Sequence, residues 1–149
     1  MKPDIVANSL DKNISKGEKI FYLSPKGKKF NQSFANSLSK QNGINLICGH
    51  FEGVDDRLLS TRNIEEISIG DYILSGGEVG AFVIIDAVVR LLPGVLGNMN
   101  SLSEESFEKY LLEYPHYTKP QKWEEKEVPE VLLTGDHKKI KDWRLLQSE

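Results

Sequence analysis

Apolar positions along the chain fall into short unbroken runs separated by amphipathic segments. From Asp4 to Ile14, residues Ile5, Val6, Leu10 and Ile14 recur at helical spacing, and Asp4 stands behind Pro3 as a cap, so a helix is predicted there. Ile20-Phe21-Tyr22-Leu23 is a run of good strand formers, ended by the turn signal Ser24-Pro25-Lys26-Gly27. A helix over Asn31 to Gln41, with Phe34 and Leu38 four apart, leads to a second strand over Ile44 to Cys48. That strand is almost continuously apolar, as in parallel sheets covered on both faces. Gly49-His50-Phe51-Glu52-Gly53 then opens a short helix near Val54.

The stretch from Ser68 to Glu78 sets an apolar core, Tyr72-Ile73-Leu74, between Gly70 and the pair Gly76-Gly77. It predicts a third strand over Asp71 to Leu74, running into a turn or a pocket where a ligand meets bare peptide groups. The helix that follows, from Glu78 to about Leu92, is apolar nearly all round, which predicts a central, buried element ended by Pro93-Gly94. Arg90 is its exception. Ser103 to Tyr114 reads as an amphipathic helix, capped by the Ser101–Glu104 box or by Ser103. Pro115 to Val131 holds three prolines without periodicity and reads as a long irregular segment, and Asp136 caps a last helix with Ile140, Trp143 and Leu146 on one face.

Strands alternating with helices predict an α/β fold, a parallel sheet with helices on both faces. Each strand ends in small or turn-forming residues, Ser24-Pro25, Gly49 and Gly76-Gly77. Ligands of open α/β sheets bind beyond the carboxyl ends of the strands, so the three ends should converge on one pocket. No G-x-G-x-x-G opens a helix after the first strand, and no P-loop is present. A backbone-lined pocket of this kind suits an adenine edge and a ribose with few phosphates.

With 149 residues, 39% of them hydrophobic, the chain is about the size of one domain with a proper core. No apolar run approaches the roughly 18 residues of a membrane span, and no apolar signal region follows Lys2, which fits a soluble intracellular protein. The one cysteine, Cys48, excludes an intrachain disulfide and a thiolate metal site; it reads as a small buried hydrophobe. A net charge of −3 makes no global case for nucleic acid, but lysines gather at Lys26 to Lys29, between His116 and Lys122, and at Lys138 to Lys141.

Six blocks carry a resemblance. Tyr22 to Gly27, Cys48 to Asp55, Ser68 to Glu78, Pro93 to Gly97, Pro115 to Pro120 and Val128 to Gly135 follow one another as in the bacterial tRNA (guanine-N1)-methyltransferases. That family belongs to the SPOUT enzymes, so the resemblance implies a deep trefoil knot, an exception to unknotted topology. It also implies S-adenosylmethionine as methyl donor. The candidate cofactor-binding residues carried over are Tyr22, Leu23, Ser24 and Pro25; Gly49, Glu52 and Gly53; and Ile69, Gly70, Asp71, Tyr72, Ile73, Leu74, Gly76 and Gly77.

The reaction implied is methylation of N1 of the guanosine immediately 3′ to the tRNA anticodon, position 37. Arg90 takes the place of a catalytic arginine and Glu105 that of an aspartate general base given by the partner of a homodimer whose active site lies at the subunit interface. Glutamate here departs from the family's aspartate and is one methylene longer. For Arg90, an internal ion pair with Asp86 is the structural alternative. His50 stands where an arginine is frequent. Arg90, His116, Tyr117 and Lys119 are the implied tRNA contacts, and a cytoplasmic location follows from the substrate. A Mg²⁺ requirement stays open, since no residue pattern marks a metal site. The match implies a chain truncated at both ends: residues 1–114 as the knotted domain, 115–133 as a linker, and 134–149 as the start of a helical tRNA-binding domain. A cofactor-binding dimer without turnover and a ribose 2′-O-methyltransferase are the alternatives.

Overall fold

Strand β1 (Lys19–Lys29) lies between two parallel neighbours, β2 (Ile44–Ile47) and β3 (Glu65–Ser68), in the order β2-β1-β3. The computed structural model describes residues 1–15, 17–50, 52–96 and 112–148, in two compact units, Met1–Gly97 and Asn98–Glu149. In the first unit, Phe21 sits opposite Leu46 and Glu65, and Tyr22 opposite Ile47 and Glu66. Side chains alternate across a strand, so neighbouring residues of β1 feed different cores.

Phe21 and Leu23 pack with the helices α2 (Gln32–Leu38) and α4 (Glu78–Val89), through Ala35, Leu38, Ile84 and Val88, and with Ile67 of β3. Ile20 and Tyr22 face the other way, toward α1 (Pro3–Asn13) and α3 (Asp56–Thr61), where Leu10, Ile47, Leu58 and Ile64 are buried. The sheet is therefore covered on both faces. Helix starts follow local chemistry: Pro3 opens α1, Asn31 Oδ1 accepts from the Phe34 N–H at 2.9 Å, and Asp55 Oδ1 accepts from the Arg57 N–H at 3.0 Å.

Four expectations need correction. The third strand is Glu65–Ser68, and Asp71 to Leu74 form an irregular loop. Tyr72, Ile73 and Leu74 have the propensity for a strand, but it is Ile67 that is fully buried against β1. The first strand does not stop at Ser24: Leu23 and Lys28 both lie opposite Ile67, so residues 24–27 bulge out and β1 resumes at Lys28 and Lys29. Helix α4 is not buried all round. Gly80, Ala81, Ile84 and Val88 are buried, whereas Val79, Phe82, Val83, Ile85 and Val89 are exposed, Phe82 at 69%. Nothing among the described residues of this unit covers that second face, and the helix ends at Val89 rather than Leu92.

The fourth correction lies in the second unit. The segment expected to be irregular contains an antiparallel hairpin, β4 (Lys122–Trp123) and β5 (Lys126–Glu127), turned at Glu124 with φ of 54°. A 3-10 turn, Glu130–Leu133, packs against helix α5 (His137–Gln147), which Asp136 caps by accepting from the Lys138 and Lys139 N–H groups. The helix expected over 103–114 lies mostly outside the described residues, and Leu112 to Tyr114 are not helical.

The bulge leaves no room for a side chain at Gly27, where an added Cβ would sit 2.3 Å from the Ile67 backbone nitrogen. Gly27→Ala should lower unfolding free energy by about 1–3 kcal/mol in urea titrations, through forced separation of β1 from β3. Gly43→Ala, where the added carbon meets nothing within 4 Å, should stay within about 0.5 kcal/mol of the parent.

Candidate functional site

The carboxyl ends of β1, β2 and β3 open into a cavity of about 480 Å³, formed wholly by the first unit. The β1 bulge supplies one wall through Tyr22, Leu23, Ser24 and Pro25. Gly49, Glu52 and Gly53, after β2, supply the second. Ile69, Gly70, Tyr72, Ile73, Leu74, Gly76 and Gly77, after β3, supply the third. Asp71 alone of the expected cofactor residues is not brought there; its carboxylate pairs with Lys29 Nζ at 2.6 Å.

Sequence reasoning missed part of the lining. Glu66, Ile67 and Ser68 reach the cavity because β3 lies earlier than expected, and Asp56 and Leu59 of α3, with Gly80 of α4, complete it. The signal for β3 was faint, since two glutamates precede its single isoleucine. Both sit on an edge strand, where charge is tolerated, and Glu65 pairs with Lys19.

The second and third walls are joined directly. The Gly77 N–H donates to the Gly49 carbonyl at 3.1 Å, and His50 and Gly76 form an antiparallel bridge. A Cβ on Gly77 would lie 2.7 Å from Cys48 Cα, so only glycine allows this approach. His50 Nε2 lies 2.5 Å from Glu78 Oε1, tying the second loop to the first turn of α4. The Glu78 carboxyl is held below its usual range by its own backbone N–H and then by His50. Burial, then the Glu78 charge, pushes the Cys48 thiol up and keeps it protonated and inert.

Three carboxylates, Glu52, Asp56 and Glu66, line the cavity against one cation, Lys26, while Leu23, Val54, Ile69 and Leu74 give apolar surface. The cavity is built for a ligand that is partly apolar, rich in hydrogen-bonding edges and not strongly anionic. Arg90 is half-buried at the C-cap of α4 and does not line the cavity. Glu105 lies outside the described residues. His116, Tyr117 and Lys119 come together on a separate cavity within the second unit.

A parallel sheet that ends in three backbone-rich loops around one cavity defines an α/β small-ligand-binding domain. The family described as "tRNA (Guanine-1)-methyltransferase TrmD" matches residues 1–149, and the chain belongs to that family. It is 72% identical over 149 residues to a "tRNA (guanine-N(1)-)-methyltransferase" of Pelagibacter ubique (strain HTCC1062), covering 100% of this chain and 65% of that one. Proteins of the same name from Brucella canis and Brucella ovis are 53% and 52% identical over the whole chain, which covers 61% of each. The chain thus spans less than two thirds of the length of these relatives.

The second wall rests on α3, whose cap has a pH dependence of its own. The Arg57 guanidinium, then the Arg57 backbone N–H, lowers the Asp55 carboxyl from 3.8 to about 2. A depressed folded value means that the ionised carboxylate contributes stability fully above the unfolded value of 3.8, and that this contribution is lost as pH falls toward about 2. Asp55→Asn keeps a cap acceptor but removes the charge. Its urea midpoint should lie below the parent's at neutral pH, and the two should converge in acid as the parent loses its advantage.

Proposed function

We propose that this chain is the methyl-donor-binding part of an S-adenosylmethionine-dependent enzyme that methylates N1 of guanosine 37, immediately 3′ to the tRNA anticodon. The observation that supports this reading best is the meeting of three backbone-rich loops at the strand ends, in a chain of this family. The residues present fit the cofactor. A cavity of about 480 Å³ lies in the size range of small-ligand sites, and its acidic lining suits a ligand bearing sulfonium and ammonium cations. Glu52 and the loop amides would hold the ribose and adenine edges, and Leu23, Ile69 and Leu74 the apolar faces. When bound, the cofactor supplies an electrophilic methyl group.

The rest of the chemistry falls to side chains. Guanine N1 carries a proton at neutral pH, so methylation requires a base, and the partner's Glu105 is proposed for it. As the proton leaves, negative charge develops at O6, where the Arg90 guanidinium would stabilise it. The homodimer this requires is supported by the exposed face of α4, on which Phe82, Val83, Ile85 and Val89 form the kind of apolar surface that a second copy would cover. No helix among the described residues is long and apolar enough to cross a membrane. With tRNA as substrate, we place the protein in the cytoplasm, and we propose the family's trefoil knot, with the segment from residue 134 as the start of a tRNA-gripping helical domain.

A second reading has one observation in its favour. The chain covers only 61–65% of its relatives, so it could bind cofactor and dimerise without turnover. Incubation with labelled cofactor and unmodified tRNA bearing G37, beside a calorimetric titration of cofactor alone, separates the two. Heat of binding with label in tRNA supports the enzyme, binding without transfer supports the second reading, and absence of both sinks the cavity assignment.

Gly77→Ala should weaken cofactor binding by about tenfold or more, because the added carbon pushes the third loop off Cys48 and misplaces its amides. Where transfer is detected, Glu105→Gln should reduce turnover by about 100-fold or more with cofactor affinity unchanged, in keeping with loss of a general base. An unchanged rate would remove Glu105 from the mechanism. Arg90→Ala should act on turnover similarly; a change in folding stability alone would make it structural.

A further inference from the structure

The second unit encloses a cavity of about 460 Å³. The segment Tyr114 to Lys119 forms one side and α5 contributes Ile140 and Arg144. Its charged lining is entirely cationic, Lys119 and Arg144, with His116 between them in sequence and no carboxylate in the wall. Glu113 stands just outside, 3.0 Å from His116 Nε2. The aromatic groups are held in place from behind. The Arg144 guanidinium lies 4.7 Å from the Tyr114 ring centroid, the Tyr114 and His116 rings are 5.1 Å apart, and Tyr117 leans on Trp143 at 6.2 Å. Tyr117 is nevertheless 46% exposed, so a flat face remains open to a ligand.

Cations alone would suit any anion, and an apolar floor alone any hydrophobe. The combination of flat rings, aliphatic floor, neutral hydrogen-bonding groups at Thr118 and Gln121, and two cations fits a heteroaromatic ring that carries a phosphate. Single-stranded RNA presents that chemistry wherever a base leaves the stack. We propose that this cavity takes one unstacked base of the RNA substrate, laid against Tyr117 and Tyr114, with its phosphate on Lys119 and Arg144. The proposal rests on the reading above that the substrate is RNA.

The test is a backbone and side-chain NMR titration of the 149-residue chain with a single-stranded RNA pentanucleotide, and with the same pentanucleotide made abasic at every position. Saturable shifts at Tyr114, Tyr117, Lys119 and the Arg144 Nε–H are expected with the first RNA only. Tyr117→Leu should weaken that binding by about tenfold or more, the loss typical of one stacking partner. Lys119→Gln should weaken it while preserving the base dependence. Equal binding of the abasic RNA, shifts confined to other residues, or no shift at all would overturn the proposal. A parallel titration with S-adenosylmethionine keeps the two readings apart. Response of the loops at 22–25, 49–53 and 69–77 without base-dependent shifts in the second unit would sink the base site alone. The reverse pattern would keep the base site and sink the methyl-donor reading.

Discussion

The fold of the first unit depends on how β1 pairs with β3. Leu23 and Lys28 both lie opposite Ile67, so the ladder is interrupted by residues 24–27 and then taken up again at the same partner residue. Extrusion of those residues places Ser24 and Pro25 at the mouth of the sheet, and Gly27 has to lie on the Ile67 backbone for the ladder to resume. Proline suits the extruded position because it has no N–H to leave unpaired, and glycine suits the contact because it has no Cβ. Ile67 is fully buried, so a slip of one residue in this register would turn it out of the core. The binding wall and the hydrophobic core therefore share one constraint.

The third wall is held differently. Ile69 to Gly77 has no regular structure and its apolar side chains are largely unpacked, Ile73 being 82% exposed. Hydrogen bonds fix its two ends instead. The Gly70 N–H donates to Ser68 Oγ at 3.3 Å and the Tyr72 hydroxyl to the Ile69 carbonyl at 3.1 Å, while Gly77 is tied to Gly49. A segment anchored at both ends by polar contacts, yet poor in apolar ones, has a low local cost of movement. A ligand that lies against Ile73 and Leu74 supplies the missing burial, so binding and ordering of this wall are one event.

Much of this was legible in the sequence, and the part that was not has a physical reason. Turn-forming residues after each apolar run pointed to one pocket at the strand ends, and the three loops do line one cavity. The third strand was misplaced because Tyr72-Ile73-Leu74 satisfies local propensity, whereas Glu65-Glu66-Ile67-Ser68 is selected by tertiary pairing with β1. The hairpin at Lys122 to Glu127 escaped notice because its strands are two residues long, too short for a period to be seen. The alternation of Phe21 and Leu23 against Ile20 and Tyr22 is a period-two pattern in which every position is apolar. Composition announces burial on both sides of β1 but not which helices lie on which.

Helix α4 shows where the hydrophobic pattern of one chain stops being informative. An all-apolar helix reads as buried on every side, yet the first unit covers only the stripe through Gly80, Ala81, Ile84 and Val88. The remaining stripe, Val79, Phe82, Val83, Ile85 and Val89, lies at the same helical spacing on the opposite side. Burial of both stripes requires matter beyond this unit, and only one of them is needed to fold it. The sequence of α4 therefore records two interfaces superposed on one helix, an internal one that closes the cavity floor at Gly80 and an external one whose partner must itself be apolar. That second stripe cannot be relieved by polar substitution without removing whatever it binds, which explains why a helix so costly to expose has kept its apolar face.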